Sequence, residues 1–251
     1  MRAVASTERK IIVLADAQAI AENAAERVLA RIAQASGPAA ICLTGGSSPQ
    51  QLYQLLAREP YRSALPWDRV HWFMGDDRFV PSDDVLSNMG MARRLFLDHV
   101  NAPRENIHPI ATTPATPDAA ARRYEADLER FYGRDRLDPA RPLFEVVLMG
   151  LGPDGHTASL FPHAPALLEE KRWVVGVDRA GFEPFVPRVT LTFPALASTR
   201  EMLFLVEGEE KREILKRVLE GNDLPASRVR SDGELTWLID RAAAPESLDA
   251  T

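Results

Sequence analysis

Two short apolar runs, each leading straight into a glycine-rich segment, constrain this chain more than any other feature. Residues 39–43 read Ala-Ala-Ile-Cys-Leu and are followed by Thr44-Gly45-Gly46-Ser47-Ser48-Pro49. Residues 144–149 read Phe-Glu-Val-Val-Leu-Met and are followed by Gly150-Leu151-Gly152-Pro153-Asp154-Gly155-His156. Such runs are too short for buried helices and lack the alternation of a half-exposed strand. They read as strands covered on both faces, the environment a parallel sheet provides.

The rest of the chain alternates in the same way. Residues 10–15 read as a short buried strand. Asp16 follows as an N-cap, and Ile20, Ala21, Ala24, Ala25, Val28 and Ile32 recur at helical spacing until Gly37-Pro38. Further helices are expected over 49–58, with Leu52, Leu55 and Leu56 inward, and over 88–100, 118–132 and 209–220. Further strands are expected over 69–74, 173–177, 188–192, 201–206 and 235–239. Residues 111–118, with Pro114 and Pro117, read as a loop. The implied fold is α/β, a Rossmann-like, mostly parallel sheet with helices on both faces. The expected organisation is one domain over 1–251, with room for a small subdomain around 75–140.

Composition narrows the class of partner. The 251 residues carry 30 Lys plus Arg against 36 Asp plus Glu, a net charge of −6. A chain of this size buries roughly 70–75% of its unfolded surface, enough for one sizeable core. An acidic balance excludes general nucleic-acid or anionic-membrane binding, which needs a dense basic footprint. Cys42 is the only cysteine; it allows no intramolecular disulfide and reads as a small buried hydrophobe. Residues 1–10 are polar and predict no signal peptide, and no apolar stretch approaches about 18 residues. The expected location is the cytoplasm.

In open parallel sheets, ligands bind at the carboxyl ends of strands, near the point where strand order reverses. Three loops matter for that reason. In 44–48, Gly45 and Gly46 permit a tight turn, Ser47 and Ser48 add hydroxyls, and a helix is expected to open at Pro49; this is a candidate phosphate cradle, or simply a glycine turn capped by Ser48. It is not a Walker A loop, because no Gly-Lys-Ser/Thr follows. In 75–87, Asp76 and Arg78 directly follow a strand, and Arg78 suits clamping an oxyanion. Asp83-Asp84 reads as a solvated turn, and Ser87 as the cap of the next helix. In 150–162, the Gly-x-Gly-x-x-Gly pattern does not open a long helix, since Pro162 follows closely, so a dinucleotide reading is set aside. Asp154 lies two residues before His156. Histidine has an unperturbed pKa of about 6.5, suited to proton transfer near neutrality, and a carboxylate can orient its ring. His71, His99, His108 and His163 lack such a context.

These segments, with Arg188-Val189-Thr190-Leu191 and Lys211 after Gly208, resemble the 6-phosphogluconolactonase family from about residue 10 to residue 240. One difference is visible: the family usually carries Asp-Glu-Arg where this chain has Asp76-Asp77-Arg78. The shorter carboxylate is tolerable if Asp77 only supports Arg78. The resemblance implies hydrolysis of a phosphosugar lactone in the pentose phosphate pathway, with no cofactor and no metal. It implies His156 as general base, Asp154 as its orienting partner and Arg78 on the substrate oxygens. Gly45, Gly46, Ser47, Arg188 and Lys211 would hold the phosphate, and Asp76, Asn88 and Gly155 would line the substrate site. A monomer or small homo-oligomer is expected.

Three rivals carry different chemistry. The related aldose–ketose isomerase that deaminates glucosamine 6-phosphate places a glutamate where this chain has Phe161, which cannot move a proton. A sugar-phosphate sensor would need a DNA-binding segment, for which the first strand near Lys10 leaves no room. A serine hydrolase would need a Gly-x-Ser-x-Gly elbow, and none is present.

Overall fold

The computed structural model describes residues 8–113 and 115–248. Residues 1–7 of the polar start, and Pro114 of the expected 111–118 loop, lie outside them. Ten strands are present among the described residues: β1 (Arg9–Leu14), β2 (Ala39–Leu43), β3 (Val70–Met74), β4 (Asp76–Arg78), β5 (Ile107–His108), β6 (Phe144–Met149), β7 (Val174–Val177), β8 (Arg188–Leu191), β9 (Thr199–Val206) and β10 (Glu234–Asp240). The α-helices are α1 (Ala17–Gln34), α2 (Gln50–Leu56), α3 (Tyr61–Ala64), α4 (Asn88–Leu95), α5 (Pro117–Tyr132), α6 (Phe193–Ala197), α7 (Arg212–Leu219) and α8 (Pro225–Arg228).

Seven strands form one sheet in the order β1-β10-β9-β6-β2-β3-β5, with every neighbouring pair parallel. From β2 the chain builds outward through β3 to β5; from β6 it builds the other way through β9 to β10. The order therefore reverses between β2 and β6, where Ile41 and Cys42 pair with Val146 and Val147. The loops 44–48 and 150–162 leave the carboxyl ends of these two strands. Every residue of β2, Cys42 included, is buried, so both faces of the sheet are covered there. Helix α1 packs against β10, β6 and β9. On β9 and β10, Phe204 and Trp237 stack in parallel with centroids 3.8 Å apart. No helix among the described residues is long and apolar enough to cross a membrane.

A second, antiparallel sheet in the order β4-β8-β7 stands at the end of β3. Gly75 joins the two sheets. Its N–H donates to Leu43 of the large sheet at 2.9 Å, and its carbonyl accepts from Leu191 of the small one at 2.8 Å. Helix α5 covers the small sheet so closely that a Cβ on Gly176 would lie 2.5 Å from the backbone nitrogen of Asp118.

Several expectations are corrected by this architecture. The segment read as a loop over 75–87 contains β4, because Asp76–Arg78 find partners in β8, more than 100 residues later. The small sheet draws one strand, 76–78, from the 75–140 stretch and its other two from 174–177 and 188–191. Strand β1 is half-exposed, with Val13 38% exposed, because it is an edge strand paired only with β10. Asp16 caps α1 as expected, accepting from Ala19 N, but the helix ends at Gln34, before Gly37-Pro38. Helix α2 starts at Gln50 after Pro49, without a side-chain cap, so Ser48 does not cap it. Its inward set includes Tyr53, whose hydroxyl bonds both N and O of Thr44, while Leu55 is only half-buried. The expected helices over 88–100 and 209–220 each divide into an α-helix and a 3₁₀ turn.

His71 and His108 form a hydrogen-bonded pair across β3 and β5, with Nδ1 and Nε2 2.9 Å apart. The His108 ring also stacks on Phe73 at 4.1 Å. Burial pushes His108 down to about 4, assisted by His71 and opposed by Asp127, and burial lowers His71 as well. Both rings therefore stay neutral in the folded protein at a pH where the unfolded chain protonates them. Their contribution is complete above about pH 6.5 and is lost as the pH falls toward 4. With solvent screening of these half-exposed rings, the loss is about 1 kcal/mol. Urea unfolding between pH 7 and pH 4.5 should show this decline, and His108→Gln should flatten it; an unchanged slope in the variant would show that the pair is not responsible.

Candidate active site

A cleft of about 270 Å³ opens at the carboxyl ends of the central strands. Gly45, Gly46, Ser47, Asp76, Arg78, Asn88, His156, Arg188 and Lys211 all line it. Of the expected site residues, only Asp154 and Gly155 do not. Asp154 reaches the cleft through His156. Gly155 faces away: its φ is +83°, and a Cβ there would lie 3.0 Å from Leu224. Its role is to let the loop turn and seat it on the segment before α8.

The 150–161 loop holds His156 by several bonds. Gly152 N–H donates to the His156 carbonyl at 2.8 Å, and Thr157 Oγ1 donates to the Gly150 carbonyl at 2.8 Å. Asp154 accepts from the His156 backbone N–H at 3.0 Å and from its Nδ1. An ionised carboxylate can only accept, so Nδ1 carries the proton and Nε2 is left with a free lone pair. Burial raises the Asp154 carboxyl, but the His156 hydrogen bond and charge outweigh it, and the carboxyl sits below the usual carboxylate range. The ring lies against Gly152 so closely that a Cβ there would come within 2.1 Å of it. Phe161 flanks it at 4.7 Å.

The opposite wall carries two arginines. Arg78 of β4 and Arg188 of β8 are register partners, which puts their guanidinium groups on one face of the small sheet. Like charges placed directly opposite each other are unfavourable. Arg78 Nη1 donates to the Leu86 carbonyl at 2.7 Å, and Arg188 Nη2 to the Pro184 carbonyl at 2.8 Å. The Nε atoms of both are buried with no protein partner. Burial and the Arg78 charge bring Arg188 down to about 10, against the pull of Asp76 and Asp77. Two crowded cations with unspent donors on one cleft wall make a site for an anionic oxygen. Lys211 adds a third cation just before α7.

Around these groups, the acidic residues do separate jobs. Asp77 accepts from the backbone N–H groups of Arg78, Asn88 and Met89 at 2.8, 2.7 and 3.1 Å. It therefore ties β4 to the first turn of α4 and does not line the cleft. Burial pushes its carboxyl up to about 6, against the lowering effect of those amide bonds. Asp76 accepts from Ser159 Oγ at 2.6 Å, and Asn88 Nδ2 donates to the Asp76 carbonyl at 3.0 Å. The Asn88 amide sits where a Cβ of residue 45 would be, 2.1 Å away, so the glycine at 45 makes room for Asn88. Among the described residues, no three His, Cys, Asp or Glu side chains come together in a metal-holding group.

With this geometry in hand, comparison with known proteins is direct. A family model described as glucosamine-6-phosphate isomerases/6-phosphogluconolactonase matches residues 15–237. The 6-phosphogluconolactonase of Synechocystis sp. is 39% identical over 242 residues, which are 93% of this chain and 96% of that protein. A solved 6-phosphogluconolactonase from Trypanosoma brucei is 31% identical, with a TM-score of 0.80 over 95% of this chain and 98% of its own. The chain belongs to the glucosamine-6-phosphate isomerase/6-phosphogluconolactonase family. A monomeric glucosamine-6-phosphate deaminase shares the fold at a TM-score of 0.78 and 22% identity, covering 93% of this chain and 98% of that one. Within the family, then, the fold does not separate the two activities.

Residues that sequence reasoning missed also shape or line this cleft. Ser159 ties the loop after β6 to the small sheet, donating Oγ to Asp76 of β4 while its N–H donates to Thr190 Oγ1 of β8 at 3.2 Å. Beside it, Ala158 takes φ +48°, a left-handed conformation costly for a non-glycine residue and tolerated where the surroundings over-determine it. Phe182 and Glu183 enter the cleft from the segment between β7 and β8. Only the positions of Ala158 and Ser159 inside the 150–162 segment hinted at any of these. Because Gly152 supports the imidazole, Gly152→Ala should lower kcat by about 10²-fold through misplacement of the ring. The thermal midpoint should shift little; a variant that keeps wild-type kcat would remove Gly152 from this role.

Proposed function

We infer that the chain hydrolyses 6-phospho-D-glucono-1,5-lactone to 6-phospho-D-gluconate, the lactonase step of the oxidative pentose phosphate pathway. The observation that carries this reading is a His156 whose Nδ1 is committed to Asp154 and whose ring borders a cleft walled by Arg78 and Arg188. Nε2 of His156 takes a proton from water as the oxygen attacks C1 of the lactone. Arg78 stabilises the oxyanion that forms on the carbonyl oxygen. Collapse of this intermediate breaks the bond from C1 to the ring oxygen, which receives the proton back from His156. The acid product ionises as it leaves. General-base help of this kind contributes about 10²–10⁴-fold.

Arg188, Lys211, Gly45, Gly46 and Ser47 hold the phosphate in this reading, while Asp76 and Asn88 meet the sugar hydroxyls. Asp77 is confined to positioning Arg78 and α4, which accounts for a shorter carboxylate in place of glutamate. The deaminase reading is disfavoured by Phe161, a buried ring packed on His156 where that chemistry needs an acid. A sensor reading gives no use to an imidazole oriented by a carboxylate. The same reading makes the protein a cytoplasmic monomer or small homo-oligomer acting on a small phosphosugar lactone, without nucleic acid, metal or cofactor. Its single cysteine suits a reducing compartment.

The test is lactone hydrolysis with freshly generated substrate, corrected for the spontaneous reaction, with glucosamine 6-phosphate assayed in parallel. Deaminase turnover without lactonase turnover would overturn the assignment. His156→Ala should remove most turnover, about 10²-fold or more, while substrate still binds; near-full activity would rule out the general-base role. Arg188→Ala and Lys211→Ala should chiefly raise KM, and an unchanged KM in both would remove them from the phosphate site. A chelator should leave the rate intact; a loss restored by a divalent ion would make the reaction metal-dependent.

A further inference from the structure

The lining of the cleft is polar and charged apart from a few apolar side chains. Of the large ones, Leu151 and Phe161 are buried, whereas Phe182 is 41% exposed. An exposed phenylalanine is not by itself informative. Phe185, three residues on, is also exposed, but it lies under the Arg179 guanidinium and does not line the cleft. Phe182 differs because its ring centroid is 6.0 Å from that of His156. The segment carrying it is anchored rather than loosely placed. A Cβ on Gly181 would lie 2.9 Å from Phe161, so the backbone is docked on that ring. Pro184 is held by Arg188, and Phe79 N–H donates to the Pro187 carbonyl at 2.8 Å.

We propose that Phe182 is a substrate-contacting specificity residue, the platform on which the ring of the sugar lactone lies. The proposal rests on the lactonase reading and adds the part of the substrate that the charged residues cannot recognise. In a gluco-configured lactone the hydroxyls project around the rim of the ring, and C–H bonds cover its faces. Arginine, lysine and asparagine side chains bind the rim and the phosphate. The C–H face complements the electron-rich face of an aromatic ring. A platform beside His156 sets the plane of the lactone relative to Nε2. It also covers the imidazole once substrate is in place. Two consequences follow from the shape of the ligand. A galacto-configured lactone turns its C4 hydroxyl across one ring face and should fit less well. The open-chain product has no ring face and should gain little from Phe182.

The experiment compares wild type, Phe182→Ala and Phe182→Tyr with freshly generated 6-phospho-D-glucono-1,5-lactone and its galactono epimer. Inhibition by 6-phospho-D-gluconate is measured alongside. Phe182→Ala should raise KM for the gluco lactone about tenfold, since it removes roughly half the burial of one aromatic side chain on binding. It should leave the inhibition constant of the open-chain product essentially unchanged and shrink the preference for the gluco over the galactono lactone. Phe182→Tyr, which keeps the ring, should behave as wild type. An unchanged KM in Phe182→Ala overturns the platform. So does a parallel rise in KM and in the product inhibition constant, which would mean that the whole segment had shifted. So does a Tyr variant as poor as the Ala variant. If wild type does not turn over the lactone at all, the lactonase reading fails and the platform with it; if wild type is active and Phe182→Ala matches it, only the platform fails.

Discussion

The backbone N–H and C=O of Gly75 make two hydrogen bonds that join the two sheets around the cleft. Its N–H continues the ladder from β3 to β2, and its carbonyl begins the small sheet through Leu191. The residue is closely surrounded: an added Cβ would lie 3.4 Å from Cys42 Sγ and from the Leu43 carbonyl oxygen. The chain therefore leaves the large sheet and enters the small one within a single residue. That turn carries Asp76, Asp77 and Arg78 to the carboxyl end of β2, beside the glycine loop, and sets Arg78 opposite Arg188. Ser159 closes the arrangement from the other side by bonding Asp76 and Thr190. The cleft is thus the seam between two sheets, held by the Gly75 backbone bonds and by the Ser159 bonds to Asp76 and Thr190.

Charge is organised against the overall balance. The protein carries a net −6, yet the cleft collects Arg78, Arg188 and Lys211. Two guanidinium groups in register repel each other, and burial adds to the cost, as the lowered Arg188 records. An anionic group beside them would offset both costs, which is the electrostatic support for the proposed phosphate and oxyanion contacts. Asp154, behind the imidazole, and Asp76, on the cleft wall, are spoken for by His156 and Ser159. Neutralisation of the arginines is left to the ligand. The acidic exterior and the basic cleft are compatible because screening confines each to about a Debye length.

Legibility differed from element to element for physical reasons. Strands β2 and β6 were plain because a strand covered on both faces has no choice but to be apolar. Helix α1 was plain because its core stripe repeats at helical spacing from Ile20 to Ile32. Strand β4 was not, since Asp-Asp-Arg has no strand character of its own; its ladder exists because β8 arrives from far along the chain. The end of α1 was misplaced because Gly37-Pro38 marks where a helix must have stopped, whereas the backbone turns extended at Ala35, directly after Gln34. A Ser48 cap was one of two readings of the glycine loop, and Pro49 holds that place without a side-chain bond. In the site, His156 with Asp154 could be read from adjacency, and Arg78 from its place after a strand. Arg188 and Lys211 stood on the family resemblance, because nothing local connects them to His156.

The sequence by itself determined the layered α/β architecture, the placing of the loops at strand ends and the Asp154–His156 pair. These follow from periodicity, from glycine placement and from contacts two residues apart, all of which are local. Tertiary structure alone decided the pairing of Arg78 with Arg188, the clearing of residue 45 for Asn88, the retreat of Gly155 from the cleft and the approach of Phe182 to His156. Each of these joins segments separated by tens of residues, where no periodicity links one position to the other. They were decided by which strands found each other and by how little space the packed seam left between them.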